Sequence, residues 1–237
     1  MKKYIGTKQI EAEPMTMGEA YERGLLQVGR VPDAEYAKRM GYHVKYADGY
    51  ESWSPAEPFE EAYKLADTSL DRMQIEAEEV NGRYVKLAAF IDSGKMDEVV
   101  NDMYNKCLLE MQCCTMFDYI RLLDTRIQRM QGSDGAKVIK MNFGMAIMAL
   151  KAGFPIRRSG WNGKGLMVFK QVPAHIESDI IPKMQSLPQS AKDLILKGKG
   201  FIDYTSQCLI YNENTGRADS WVPSISDVFA EDWEIVE

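Results

Sequence analysis

The sequence predicts an α+β protein built from three segments: a small α+β unit over residues 1–65, an antiparallel two-helix hairpin over 66–131, and a C-terminal α+β domain with an antiparallel sheet over 137–237. Three observations carry that prediction. Apolar residues recur in steps of three and four along two long central stretches. Short alternating runs flank Asp-Gly and Asn/Gly turns on both sides of them. The polar stretch "QGSDG" at 131–135 reads as a linker between the hairpin and the C-terminal domain.

In the N-terminal unit, "MTMGEAYERG" offers Thr16 as a helix N-cap with Glu19 three residues on, the pattern of a capping box. "YHVKYADGYESW" alternates about Asp48-Gly49 and predicts a hairpin, and "SWSPAEPFEEAYKLA" returns to helix. His43 falls on a strand as an isolated, half-exposed histidine without acid partners. Within the helical hairpin, an outgoing stripe runs Leu70, Met73, Ala77, Val80, Tyr84, Leu87, Ile91, and "DSGK" at 92–95 breaks it with a short turn. The returning stripe is Leu109, Cys113, Met116, Ile120, Leu123, Ile127, Met130. Two such helices fold back on each other and bury their stripes.

The C-terminal domain opens with "MNFGMAIMALKAG", in which Asn142 caps a helix, Phe143, Ala146, Ile147 and Leu150 share a face, and Gly153 ends it. "LMVFKQV" reads as a strand. Residues 174–200 are polar, broken by prolines, and long enough to form a cover. "FIDYTSQCLIYNENTGRADSW" reads as two strands around a turn, "SISDVFAEDW" as a short helix capped by Ser224 or Ser226, and "WEIVE" as a closing strand. The S-W-x-P and following helix near residue 220 echo those near residue 52.

Composition excludes several functions. A net charge of −6 and a pI near 5.2 argue against general DNA or RNA binding, which requires cations to displace counterions from many phosphates. The charge is uneven, since residues 137–176 hold seven Lys or Arg and no Asp or Glu. The four cysteines form no C-x-x-C pair, so neither zinc nor a disulfide framework is indicated and a reducing cytosol fits. No apolar leader precedes residue 15 and no apolar run is long enough to span a membrane.

"GWNGKG" at 160–165 is the most informative hexapeptide. It lacks the spacing and hydroxyl of a Walker A loop and follows a helix, where a dinucleotide fingerprint would follow a strand. Trp161 flanked by glycines fits a base-stacking platform, while the amides of Gly163 and Gly165 with Lys164, Arg157 and Arg158 suit phosphate. The opposing reading is that Trp161 plugs the core beside a tight turn. Asp227, three residues after Ser224, either accepts from ribose or adenine or stabilises its helix start. Trp221 and Trp233 read as core or interface aromatics. No acid–histidine–nucleophile set assembles and His175 lacks a partner, which points to binding without turnover and without a cofactor.

These motifs resemble the Thoeris anti-defence two family of phage proteins: M-N-F-G-x-A at Met141–Ala146, G-W-N-G-K at Gly160–Lys164, and W-x-x-S-x-x-D-x-x-A-x-D-W at Trp221–Trp233. The resemblance covers residues 141–237, and the region before it is similar to small phage modules of unknown function. It implies a sponge of the host bacterial cytosol that binds a cyclic ADP-ribose-type immune signal, glycocyclic ADP-ribose, without cleaving it. It further implies a homo-oligomer, dimer or tetramer, with pockets between subunits, and in some members cyclic dinucleotides at a separate site. By position Trp161 would stack the adenine, Asn162 and Lys164 would lie near the pyrophosphate, Phe143 would line the pocket, and Ser224, Asp227 and Asn214 (or Asn212) would add polar contacts. An enzyme that degrades the signal and a phage structural or assembly oligomer are the alternatives.

Overall fold

The computed structural model describes residues 9–236; residues 1–8, the first half of the stretch that reads as lacking an apolar leader, and Glu237 lie outside them. The chain is α+β and divides into two compact units between Glu76 and Ala77, inside a long helix.

The first unit is a three-stranded antiparallel sheet, β1 (Ile10–Thr16), β2 (Met40–Tyr46) and β3 (Glu51–Pro55), in that order. β1 is an addition to the sequence reading, whose signal there was only the helix cap at its end. That cap forms as predicted: Thr16 and Glu19 close a capping box at α1 (Met17–Glu22). Asp48-Gly49 turns β2 into β3, and α2 (Ala56–Ala62) follows, with Phe59 stacked on Tyr42 at 4.1 Å. Trp53 is buried with Met15, Met17 and Ala20, and its indole N–H donates to the carbonyl of Met15 (3.0 Å). Its ring lies so close over Gly41 that a Cβ there would stand 2.6 Å from the indole carbons.

His43 departs from its sequence reading. Antiparallel pairing brings Glu13 and Glu51 from the flanking strands to its ring, Nδ1 to Glu13 at 3.2 Å and Nε2 to Glu51 at 2.9 Å. Both partners arrive only through the register of β2 with β1 and β3, which a reading of neighbouring residues does not contain. These two carboxylates, Glu13 foremost, raise the imidazole pKa above its ordinary 6.5.

The second unit begins with α3 (Ser69–Asp92), which crosses the unit boundary. The predicted short turn is longer than expected. Gly94 in the left-handed conformation starts a further helix, α4 (Lys95–Val99), and Asp102 caps the restart at α5 (Met103–Met130). Lys106 of α5 reaches back to Asp97 at 2.6 Å, and Tyr84 of α3 meets Phe117 of α5 with ring centroids 5.6 Å apart.

The C-terminal domain packs α6 (Phe143–Lys151) on a five-stranded antiparallel sheet. Its strands are β4 (Ile156–Arg158), β5 (Leu166–Lys170), β8 (Cys208–Asn212), β9 (Arg217–Ser220) and β10 (Trp233–Ile235), lying side by side in the order β10-β4-β5-β8-β9. Asn142 caps α6 and Gly153 ends it at φ +90°, as predicted. Ala146, Ala149, Leu150, Ile156, Val168 and Trp233 form the core. Between β5 and β8 the chain leaves the sheet and forms a ladder of β6 (Ala174–Ile176) with β7 (Ile202–Tyr204) and a helix, α7 (Gln189–Lys197). Here His175 gains the partner its sequence lacked, Asp203 opposite it at 2.6 Å. The predicted short helix is α8 (Ile225–Val228), with a capping box of Ser224 and Asp227.

Two outcomes follow for the first unit. Gly41→Ala is expected to cost its stability about 1–3 kcal/mol through overpacking, read as a fall in its urea midpoint. Because the folded pKa of His43 is raised, its contribution is complete below about pH 6.5 and is lost as pH rises through the folded value. The thermal midpoint of wild type is therefore expected to drop more between pH 6 and 8 than that of His43→Gln.

Candidate functional site

The GWNGKG turn is held by the far end of the chain. Arg158, the last residue of β4, lies between two carboxylates: its Nε donates to Asp232 Oδ1 (2.7 Å) and its Nη1 to Asp227 Oδ1 (2.9 Å). Asp232 also accepts the Gly160 N–H at Oδ2 (2.8 Å) and the Ser159 N–H at its carbonyl (3.0 Å). A Cβ on Gly160 would stand 2.5 Å from that Oδ2, so this position is closed to any side chain.

Asp227 is 7% exposed and fully bonded. Its Oδ1 also accepts from the Trp161 indole N–H (3.2 Å), and its Oδ2 accepts from the Ser224 N–H (3.0 Å) and hydroxyl (2.8 Å). Burial pushes its pKa up, but hydrogen bonds from Ser224, Arg158 and Trp161 outweigh that and hold it at about 2. The turn's second half is held by the β8–β9 loop. Asn214 Nδ2 donates to the Lys164 carbonyl (2.7 Å) and the Glu213 N–H to the Gly165 carbonyl (2.9 Å), with Gly165 at φ +76°.

Four aromatic rings converge behind this turn. Trp233 is wholly buried, with Trp161 edge-on at 5.4 Å, Trp221 edge-on at 6.1 Å and Phe143 at 5.7 Å. On the Phe143–Trp221 side opens a cleft of roughly 320 Å³, lined by Phe143, Ile147, Lys170, Gln207, Cys208 and Trp221 with Ser206 and Pro223 at its edge. That volume lies at the small end of ligand clefts, about 300–1,000 Å³. It offers two aromatic faces, one ammonium and one carboxamide, a set suited to a flat heterocycle carrying negative charge. Among the described residues no acid–base pair lines it.

The predicted site residues separate into three groups. Phe143 lines the cleft. Trp161, Ser224 and Asp227 form the clamp, and the polar atoms named above are bonded inside the fold. Asn162 and Lys164 stand exposed on the outer turn, and Asn214 uses its side-chain N–H on the backbone of that turn. Arg157 and Arg158 require correction as phosphate ligands. Arg157 pairs with Glu234 (2.9 Å), its partner in the register of β10 with β4, and Arg158 pairs with Asp232, just before β10, and with Asp227 of α8. Of the cleft residues only Phe143 was predicted for the site; Ile147, Lys170, Ser206, Gln207, Cys208, Trp221 and Pro223 were not. Lys170, at the end of a strand in an acid-free basic run, carried the one local signal.

Among the described residues no group of three or more His, Cys, Asp or Glu is placed to hold a metal ion, and no helix is long and apolar enough to cross a membrane.

Comparison with known proteins locates the same domain. A family model described as a Thoeris anti-defense 2-like domain matches residues 141–236. A second model, described as Sequestin, matches residues 67–129, which span most of α3 and α5. The chain is 34% identical over 102 residues to Thoeris anti-defense 2 of Bacillus phage SP01, an alignment that takes in 41% of this chain and 96% of that protein.

The depressed pKa of Asp227 sets a measurable outcome. Its contribution to stability is complete above the ordinary value of 3.8 and is lost as pH falls toward about 2. Asp227→Asn is expected to lower the stability of the C-terminal domain by about 3 kcal/mol at neutral pH, since it weakens a buried ion pair. The same variant should flatten the loss between pH 4 and 2 in acid titrations followed by tryptophan fluorescence.

Proposed function

Because the chain belongs to the Thoeris anti-defense 2 family and is a phage anti-defence protein, we propose that it acts as a sponge. It binds a cyclic ADP-ribose-type signal, glycocyclic ADP-ribose, and withholds it from its effector without cleaving it. The observation that carries this reading is the cleft: two aromatic walls, Phe143 and Trp221, beside Lys170, and no acid–base pair among its lining residues to drive hydrolysis.

In this reading the purine packs against Phe143 and Trp221, whose rings are tilted 57° to each other with centroids 6.5 Å apart. Lys170 takes the pyrophosphate, and Gln207 and Ser206 take ribose hydroxyls. Trp161, Ser224 and Asp227 support the site through the clamp, and Asn214 does so by fixing the turn.

A sponge that outcompetes an effector needs a Kd of about 1 nM, near −12 kcal/mol, and an open cleft encloses too little of the ligand to reach it. A second copy completes the enclosure. Close in sequence to the cleft residues Trp221 and Pro223, Val222, Ile225 and Phe229 are 81%, 80% and 81% exposed, apolar surface that a partner subunit would cover. In that assembly we assign the exposed Asn162 and Lys164 of the GWNGKG turn to the ligand of the neighbouring copy.

The test is capture. Purified protein is mixed with product from an activated TIR enzyme, free ligand is removed by filtration, and the protein is heated to release what it holds. Intact ligand in the heated fraction is the expected result; cleaved ligand would show an enzyme. Trp221→Ala and Phe143→Ala are each expected to lower capture at least about tenfold, from the 1–3 kcal/mol that a stacked base contributes. Unchanged capture in both variants would remove the cleft from the site.

A further inference from the structure

The helix that carries the cleft wall is gripped from outside its own domain. Asn142 stands between Met141, whose N–H and carbonyl are both bonded to Trp233 (2.8 and 3.1 Å), and Phe143, which faces the cleft. Its carboxamide does two jobs. Oδ1 accepts from the Met145 N–H (3.0 Å) and caps α6, while Nδ2 donates to the carboxylate of Asp118, midway along α5.

Asp118 is itself fixed. Its side chain is mostly buried, Arg121 one turn on pairs with its other oxygen at 3.5 Å, and the Arg121 guanidinium lies over the Phe117 ring at 5.3 Å. Among the described residues Arg121 Nη2 is buried without a hydrogen-bond partner, so part of this pair's bonding capacity is unused. A carboxamide has one degree of rotation about its last bond. Fixing Nδ2 on Asp118 therefore also fixes where Oδ1 meets the first turn of α6, and with it the direction in which Phe143 and Ile147 face the cleft.

We propose that Asp118 is a positioning residue for the ligand cleft, through which the helical hairpin sets how firmly the C-terminal domain holds its ligand. This rests on the sponge reading for the identity of the ligand, but not for the contact itself. It also assigns a role to α5, which lies outside the span matched by the family model of the C-terminal domain. The hairpin stiffens a binding site that its own residues do not line.

Two variants of the full chain test this: Asp118→Ala, which removes the acceptor, and Asp118→Asn, whose carboxamide oxygen still accepts from Asn142. The first measurement needs no ligand. Hydrogen exchange at the Met145 amide is expected to accelerate at least about tenfold in Asp118→Ala and to return close to wild type in Asp118→Asn. Equal exchange in all three proteins would overturn the proposal. The second measurement is the off-rate of captured TIR product at a temperature where urea titration shows each variant folded. Asp118→Ala is expected to release it about tenfold faster, with Asp118→Asn restoring retention. A lower unfolding midpoint with an unchanged off-rate would reduce Asp118 to a structural residue and overturn the proposal. If wild type captures nothing, the sponge reading fails and the ligand-holding role of Asp118 fails with it. The exchange result then still decides whether the grip on α6 exists.

Discussion

The C-terminal domain depends on one guanidinium. Arg158 ends a three-residue strand of the sheet and would be an unpaired, half-buried charge if the chain stopped short of residue 227. Asp227 and Asp232 arrive from the last turn of the sequence and enclose it, and each acid is then shared with the GWNGKG turn. A salt bridge at the surface would contribute little, but here both partners are withdrawn from water and every bond restrains backbone as well as charge. Residues 156–160 and 224–232 of the domain are thereby bonded to each other, and the turn is fixed on the acids that follow it.

That constraint explains the order of the aromatic rings. Trp161 is tied by its N–H to Asp227 and stands edge-on to Trp233, and Trp233 in turn donates to the Asp227 carbonyl (3.1 Å). Trp221 and Phe143 close on the same buried indole. The cleft between them is thus bounded by side chains whose backs are packed against a rigid hub. Pre-formed walls bind without the ordering cost that mobile ones incur.

How much of this could be read from the chain depends on how local each cause is. Caps at Thr16, Asn142 and Ser224 lie within three residues of the groups they bond, and all three were legible. So were the helical stripes, because periodicity is a property of one segment. The strands at residues 10–16, 156–158 and 174–176 were not, since each is short or polar and exists only because a distant strand pairs with it. The histidines show the same limit. His43 and His175 read as unpartnered, and both have carboxylates supplied by strand pairing. At the candidate site Phe143 was legible from its face of α6, whereas Trp221 read as core because nothing in its neighbourhood tells which side of a ring remains open.

The acid-free run from 137 to 176 is the instructive case. Taken as sequence it looks like a counterion surface for phosphate, and its glycine-flanked lysine strengthens that impression. In the fold its two arginines are neutralised by Asp227, Asp232 and Glu234, acids some seventy residues later that α8, the turn after it and β10 bring to β4. Charge segregation along a chain therefore reports two different things, a surface for an external anion or an internal pairing waiting for its partner strand. Here the stretch divides between them. Arg158 builds the clamp and Arg157 pairs with Glu234, while Lys170, which lines the aromatic cleft, remains with the charge that a nucleotide-like anion would need.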